Sequence, residues 1–457
     1  MSKRLFGTDG VRGVANAKLT PELAFDLGQA AGLYLARTGT LRKAVIGQDT
    51  RISSTMLSAA VSAGLCSAGV SVYDLGVAPT PTISYVARTG SYGLGVIVSA
   101  SHNPAPDNGI KFVGHDGKKL ADETEVEIEG LIKISFDRPT GGEIGRIVHG
   151  REGVESYLGM LEAIVPGGLD GWKIALDAAH GAAFELGPEI LRRLGAELVA
   201  IGTAPDGINI NSEGGATKPH TICELTKSSG ATVGVAFDGD ADRAIFSDSQ
   251  GRLINGDRTM GVWADHMQAI GALDPSLIVG TVMSNGGFVH YLASRGIEVE
   301  RAPVGDKYVA QRIDATRALV GGEQSGHIIF PHHGPTGDGL VTMLEFFRVL
   351  KALDRTSAEC YESYDPWPQL LVNMAVDSTA GWQEKLAGVL NDGKARLQDR
   401  GRIVVRPSGT QPVIRVMVEA DEYALRDEIA DAIVAEVSAR MGGHVEGRVD
   451  LTHALGD

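Results

Sequence analysis

Residues 94–112 read LGVIVSASHNPAPDNGIKF. The apolar run Leu94–Val98, rich in β-branched residues and bounded by turn formers, suits a strand covered on both faces of a parallel sheet. It empties at once into Ser99, Ser101, His102 and Asn103, then Pro104, Pro106 and Asn108-Gly109, which do not suit a core. Ligands of open α/β sheets bind beyond the carboxyl ends of the strands, so this junction sets hydroxyls and an imidazole at a crevice. Ser101 is therefore a candidate nucleophile or phosphate carrier. The same residues also fit an ordinary surface turn, since Asn-Pro and Asn-Gly are turn dipeptides.

Helix and strand signals alternate on either side, which predicts α/β layers with helices covering parallel strands. Thr20-Pro21 opens a helix, Ala44–Gly47 is a short strand, and Ser53 or Ser54 caps the helix that follows. An apolar strand running into a small-residue loop with His or Asn recurs at 96–103, 173–183 and 277–287, as three α/β units of related topology would show. Polar or Gly-rich joints fall near 140–153, 250–257 and 362–368. After Pro368 the texture becomes that of a smaller α+β domain, with strands near 370–377, 402–405 and 413–419, a helix near 381–398 and a final helix from Leu425 to Met441.

A chain of 457 residues is too long for one core. Its 60 glycines, against a usual level of about 7%, predict many tight loops. A formal charge of -15 argues against nucleic acid or an anionic membrane as the main partner, so any anionic ligand must be held by local basic clusters. Cys66, Cys223 and Cys360 lack disulfide or zinc-ligand spacing and suit a reducing compartment. No secretory h-region opens the chain and no stretch is long enough to span a membrane, so a cytoplasmic protein is expected.

Three further loops carry candidate chemistry. In TVGVAFDGDADRAIF (232–246) a buried strand ends in Asp238, Asp240 and Asp242, whose mutual repulsion calls for a cation; all-oxygen ligation suits Mg²⁺ or Ca²⁺. An EF-hand is excluded because Arg243 stands where Gly is needed and Ser249 where Glu is needed, while a solvated acidic turn stays open. In GGEQSGHIIF (321–330), Glu323, Ser325 and His327 supply acceptors and donors; the carboxylate and hydroxyl could grip sugar hydroxyls, while His327 could be merely structural. In RIVVRPSGTQPVIRVMVEA (402–420), Arg406, Ser408, Gly409 and Thr410 between two strands, with Arg415 beyond, form a phosphate cradle or a hairpin turn. Arg12, between glycines, and Lys111 add two cations. Together these loops supply a hydroxyl, a hard-cation site, a polyol grip and a phosphate clamp, as phosphoryl transfer on a sugar phosphate requires.

GTDGVRG (7–13), SASHNP (99–104), DNGIKF (107–112), DGDADR (238–243), TVMSN (281–285), GGEQSGH (321–327) and RPSGTQPVIRVMVE (406–419), in this order over nearly the whole chain, resemble the α-D-phosphohexomutase family, and its amino-sugar branch in particular. The resemblance implies an α/β fold of four domains around a central cleft: three related α/β mixed-sheet domains (1–152, 153–253, 254–366) and a smaller C-terminal α+β domain (367–457). It implies interconversion of glucosamine 6-phosphate and glucosamine 1-phosphate through a phosphoserine and glucosamine 1,6-bisphosphate, toward UDP-N-acetylglucosamine and the cell wall. Mannose or glucose phosphates are the alternative substrates, and a non-catalytic sugar-phosphate sensor the alternative role.

Carried over by position, Ser101 is the phosphorylated serine and, with Asp238, Asp240 and Asp242, holds one Mg²⁺. Arg243 is an active-site arginine, and Glu323 and Ser325 contact the sugar. Arg406, Ser408, Gly409, Thr410 and Arg415 bind the distal phosphate. Arg12, Lys111 and His327 surround the reacting oxygen, Lys111 as proton shuttle. A homodimer is also implied. Two positions depart from the pattern: Gln411 replaces the usual Glu and Ala241 the usual Gly. Gln324 points toward an amino sugar, since mutases for neutral hexoses usually have Met there.

Overall fold

The computed structural model describes residues 4–7, 9–408 and 411–454, whose strands form four sheets. The first contains β1 (Val11–Val14), β2 (Lys43–Gln48), β3 (Ser71–Val77), β4 (Leu94–Val98), β5 (Asp107–Gly114) and β6 (Ile147–His149), in spatial order β1-β5-β4-β2-β3-β6. The second contains β7 (Lys173–Asp177), β8 (Glu197–Ile201), β9 (Val233–Phe237), β10 (Ala244–Asp248) and β11 (Leu253–Ile254), in order β11-β10-β9-β7-β8. The third, β12 (Leu277–Thr281), β13 (Glu298–Ala302), β14 (Gly321–Gly322) and β15 (Ile328–Ile329), is ordered β13-β12-β14-β15. The fourth, β16 (Gln369–Ala375), β17 (Gly401–Pro407), β18 (Val413–Ala420) and β19 (His444–Asp450), is antiparallel throughout, in order β17-β18-β16-β19.

The first three sheets share one plan, a parallel set that turns antiparallel at a single strand. β4 runs parallel to β2 and antiparallel to β5. β9 runs parallel to β7 and antiparallel to β10, and β14 parallel to β12 and antiparallel to β15. Leu94–Val98 is buried along its whole length, as its composition predicts, but in a mixed sheet. The loops that follow β4, β9 and β14 are therefore equivalent, and they are the loops at 99–106, 238–243 and 323–327. The outline shared by 96–103, 173–183 and 277–287 is corrected accordingly: β7 and β12 lie between parallel neighbours, as β2 does, and are not counterparts of β4.

Asn108-Gly109, a turn dipeptide in isolation, sits inside β5 opposite Gly13 and Arg12. A Cβ at Gly109 would fall 2.5 Å from the Ser99 carbonyl, so the glycine serves a close backbone approach. Helix α1 (Pro21–Thr38) starts as predicted, with Thr20 Oγ1 accepting from Leu23 N at 3.3 Å. Helix α2 (Ile52–Ser67) starts earlier than predicted: Arg51 holds the cap position, and Ser53 and Ser54 lie in the first turn. Ser54 Oγ is drawn instead to the buried Asp49 carboxylate, 2.6 Å away. The last predicted helix forms, over Tyr423–Met441, but it is not the final element: β19 follows it and pairs with β16.

One apolar core runs continuously from Val45 in β2 through Leu176 and Phe246 to Phe347 and Cys360, so the first three sheets share an interior. A second core lies between α1, α2 and the other face of the first sheet. The fourth sheet buries its own set, Leu370 to Met441. It meets the third unit along a mixed seam: Met283 packs on Leu371, Met417 and Leu451, and beside them Arg402 donates to the Val282 and Ser284 carbonyls and is paired with Glu419 at 2.8 Å.

Candidate active site

Ser101 follows β4 with its backbone in the left-handed region, φ 51, which costs a non-glycine residue roughly 1–3 kcal/mol. A buried hydrogen-bond set offsets that strain. Arg51, with no exposed side-chain surface, donates to the carbonyls of Ser101 (2.9 Å), Asn103 (2.8 Å) and Pro104 (2.9 Å). Asn211 Nδ2 also donates to the Ser101 carbonyl at 2.9 Å. Asp49 accepts from Arg51 Nε at 2.9 Å and from Ser99 Oγ at 2.6 Å, and Ser99 Oγ in turn accepts from Ser101 N at 2.9 Å. The loop is thus held by groups 50 and 110 residues away in sequence.

So held, Ser101 Oγ donates to Asp238 Oδ2 at 2.7 Å. Asp238, Asp240 and Asp242, on the equivalent loop of the second sheet, present oxygen atoms within 4.8 Å of one another. Asp240 Oδ2 accepts from Thr80 Oγ1 at 2.6 Å and lies 3.6 Å from Lys111 Nζ. Asp242 lies 3.5 Å from His327 Nδ1. Ala241 takes φ 57 between them; where glycine would be unstrained, alanine carries a penalty of roughly 1–2 kcal/mol, yet the three carboxylates converge.

Burial, then the charges of Asp242 and Asp240, push the Asp238 carboxyl well above the usual range. Burial would raise Asp242 too, but His327 foremost, with Lys111 and Arg243, holds it below that range. Burial lowers Lys111 and His327, and the surrounding carboxylates outweigh it: Lys111 is raised by Asp240 and Asp242, and His327 reaches about 9 through Asp242. Both are therefore cations at neutral pH. Asp240 Oδ1 and Asp242 Oδ1 are buried and have no hydrogen-bond partner among the described residues. Crowded carboxylates with unused oxygens fit a hard divalent cation, and with three protein ligands they suit Mg²⁺, which retains open positions for water or phosphate.

A cleft of about 280 Å³ opens beside the triad, lined by Arg12, Ser101, Lys111, Asp242, Arg243, Glu323 and His327 among others. Seven predicted residues from three sheets thus meet at one place. Glu323 Oε1 accepts from Gly305 N at 2.9 Å. Ser325 is buried and does not line the cleft. Gln324 is also buried, and its amide donates to Asp257 at 3.1 Å, so the side chain faces the protein and not the sugar site. Arg406 and Arg415 lie opposite each other on β17 and β18, and neither lines the cleft. Burial and then Arg415 lower the Arg406 guanidinium, the state an anion between the two would relieve. Ser408 N donates to Val413 O at 2.8 Å and Gln411 is exposed, whereas Gly409 and Thr410 lie outside the described residues. Asp49, Arg51, Thr80 and Asn211 were not found from the sequence.

Four family models match the chain in succession: the phosphoglucomutase/phosphomannomutase alpha/beta/alpha domains I (3–138), II (155–251) and III (255–367) and the C-terminal domain (371–436). The chain belongs to the phosphoglucomutase/phosphomannomutase family. Among curated members it is 46% identical to a phosphoglucosamine mutase of Desulforamulus reducens, over 94% of this chain and 98% of that one. It is 45% identical to a phosphoglucosamine mutase of Macrococcus caseolyticus, over 97% and 99%. A family member from Burkholderia thailandensis superposes with a TM-score of 0.81 at 23% identity, covering 98% of this chain and 100% of that one. An N-acetylphosphoglucosamine mutase of Aspergillus fumigatus superposes with a TM-score of 0.64 at 19% identity, over 95% and 96%. The expected four-domain phosphohexomutase fold is thereby borne out. No helix among the described residues is long and apolar enough to cross a membrane.

Proposed function

We propose that this family member interconverts glucosamine 6-phosphate and glucosamine 1-phosphate, with Ser101 as the phosphoryl carrier. The observation that carries the reading is the 2.7 Å contact between Ser101 Oγ and Asp238 inside a triad of buried aspartates. The substrate class follows from the phosphoglucosamine mutases, 43–46% identical over nearly the full chain. Mg²⁺ held by Asp238, Asp240 and Asp242 would supply the positive charge that a phosphoserine of about -1.5 to -2 needs among three carboxylates.

The protein's own groups divide the remaining work. Arg12, Lys111, Arg243 and His327 place cations around the position of the phosphoryl group in a chain of net charge -15. When a sugar hydroxyl attacks phosphorus, the new P–O bond forms as the bond to Ser101 Oγ breaks. The hydroxyl must lose a proton and the serine oxygen must regain one. Lys111, beside Asp240, is the proposed shuttle: as the ammonium it gives its proton to the leaving Ser101 oxygen and, once neutral, takes the proton of the attacking hydroxyl, with His327 as the neighbouring acid.

The product of this half-reaction is glucosamine 1,6-bisphosphate. It must turn end for end so that its other phosphate meets Ser101 while the first occupies the clamp of Arg406, Ser408, Gly409, Thr410 and Arg415. A clamp on a separate sheet suits that turn, since movement of the fourth sheet toward the cleft would bring the distal phosphate site within reach and exclude water. Glu323, which lines the cleft, and Ser325, which must turn out of its buried position to reach it, are the proposed sugar contacts.

The four sheets are taken as four functional units divided near 152, 253 and 366; the second reaches Ile254, which pairs with Phe246. A cytoplasmic homodimer is part of the same proposal, and its mass is directly readable by sedimentation. The deciding experiment compares turnover of glucosamine 1-phosphate with that of glucose 1-phosphate and mannose 1-phosphate. A hundredfold preference for a neutral sugar would overturn the substrate assignment.

A further inference from the structure

Among the described residues, a second group of side chains also brings metal-ligating atoms within 4.8 Å of one another: His332, His333 and Glu345. None of the three lines the cleft that holds Ser101. The histidines occupy the turn after β15, and Glu345 lies in the helix Gly339–Leu353 that packs beneath it.

The Glu345 carboxylate is divided between two sets of partners. Its Oε2 accepts from Trp263 Nε1 at 2.9 Å and from Arg348 Nη2 at 2.6 Å and Nε at 3.0 Å, which fix its orientation. Its Oε1 faces His333 Nε2 at 2.7 Å and His332 Nε2 at 3.5 Å. One oxygen is thus anchored by permanent donors, while the other meets two imidazole nitrogens, each able to exchange a proton for a metal ion.

We propose that His332 Nε2, His333 Nε2 and Glu345 Oε1 form a second metal site, for a divalent transition ion of the zinc type. Two imidazoles and one carboxylate are a zinc donor set and a poor one for Mg²⁺, so this site and the aspartate triad select different ions. Metal–ligand bonds of about 2.0–2.2 Å place tetrahedral ligands roughly 3.4 Å apart. His332 already stands at that distance from Oε1, at 3.5 Å, and His333 must draw back from 2.7 Å. Glu345 keeps 3% of its side-chain surface exposed while His332 keeps 45%, which leaves an approach for the ion and a solvent ligand in the fourth position. Trp263 and Arg348 act as the outer partners that hold the carboxylate for the ion. The Arg348 charge, on the same carboxylate, opposes the cation and should keep the affinity well below that of a structural zinc site.

The turn that carries the imidazoles also contacts the first sheet's helix α3 (Thr80–Thr89), where Arg88 Nη2 donates to His333 O at 2.7 Å. A bound ion would therefore fasten helix Gly339–Leu353 to a turn shared with α3.

The full chain in millimolar Mg²⁺ is titrated with Co²⁺, whose four-coordinate complexes with nitrogen ligands absorb visible light far more strongly than octahedral oxygen complexes. A strong visible band saturating at one Co²⁺ per chain, discharged by Zn²⁺ and absent from His332→Gln/His333→Gln, is expected. No band in the natural protein, or an undiminished band in the double variant, overturns the proposal. Should the double variant not fold, His332→Gln alone, at the exposed position, must weaken Co²⁺ binding at least tenfold; unchanged binding overturns it equally.

Discussion

Arg51→Met offers a direct test of how Ser101 is held. The substitution removes four hydrogen bonds, to Asp49 and to the carbonyls of Ser101, Asn103 and Pro104, and leaves the Asp49 carboxylate buried without its cation. Breaking a buried pair by removing one partner costs about 3–5 kcal/mol, a large share of the roughly 5–15 kcal/mol that stabilises a typical domain. Adding Asp49→Asn removes the stranded charge while retaining an acceptor for Ser99 or Ser54, so the double variant should regain at least about 1–2 kcal/mol. Turnover should not return with it. Ser101 needs its left-handed backbone to stay 2.7 Å from Asp238, and a displacement of about 1 Å can cost 100-fold. Urea denaturation reads the first quantity and mutase kcat the second. The reasoning is refuted if Arg51→Met turns over within threefold of the natural enzyme, or if the double variant is no more stable than the single one.

Ser101→Ala should abolish turnover while leaving the fold intact, and intact-mass spectrometry should lose the single added phosphate; retained activity would remove Ser101 from the mechanism. Thr80→Val deletes the hydroxyl that holds Asp240 and should raise the Mg²⁺ concentration for half-maximal activity roughly 10- to 150-fold, as loss of one charge-assisted hydrogen bond of about 1.5–3 kcal/mol predicts; an unchanged requirement would dismiss Thr80. Arg406→Ala should weaken sugar-phosphate binding by about 1.5–3 kcal/mol, or roughly 10- to 150-fold, measured by calorimetry. Burial raises Asp338 to about 6, so between about pH 4 and pH 6 the unfolded chain releases a proton that the folded one keeps, and stability falls as pH rises through that window by up to about 3 kcal/mol. Asp338→Asn, which retains an acceptor for Val341 N, should remove this slope, and identical urea midpoints against pH in both proteins would contradict it.

The site loops were legible because each breaks the pattern of the strand before it. Val98 to Ser99 and Phe237 to Asp238 are abrupt changes from apolar to polar, and such changes fall where a sheet ends. The same rule applied to β2 would have found Asp49 and Arg51, which follow Gln48 directly. Thr80 and Asn211 carried no such mark: Thr80 opens a helix and Asn211 sits in a polar loop, and only the fold brings them to Asp240 and Ser101. β19 escaped notice because six of its seven residues are exposed, leaving no apolar alternation to read. The Ser53/Ser54 cap failed for a related reason: a buried carboxylate 2.6 Å away competes with the helix end for the hydroxyl, and the sequence does not display that competitor.

The apolar interior runs unbroken from Val45 to Cys360, whereas the last ninety or so residues keep a separate one and touch their neighbour through a small apolar patch around Met283 and through arginine on main-chain oxygens. Heating should consequently melt the larger body in a single cooperative step, with the smaller one free to detach beforehand. A calorimeter would then record two endotherms, and sugar phosphate bridging both bodies would draw them together.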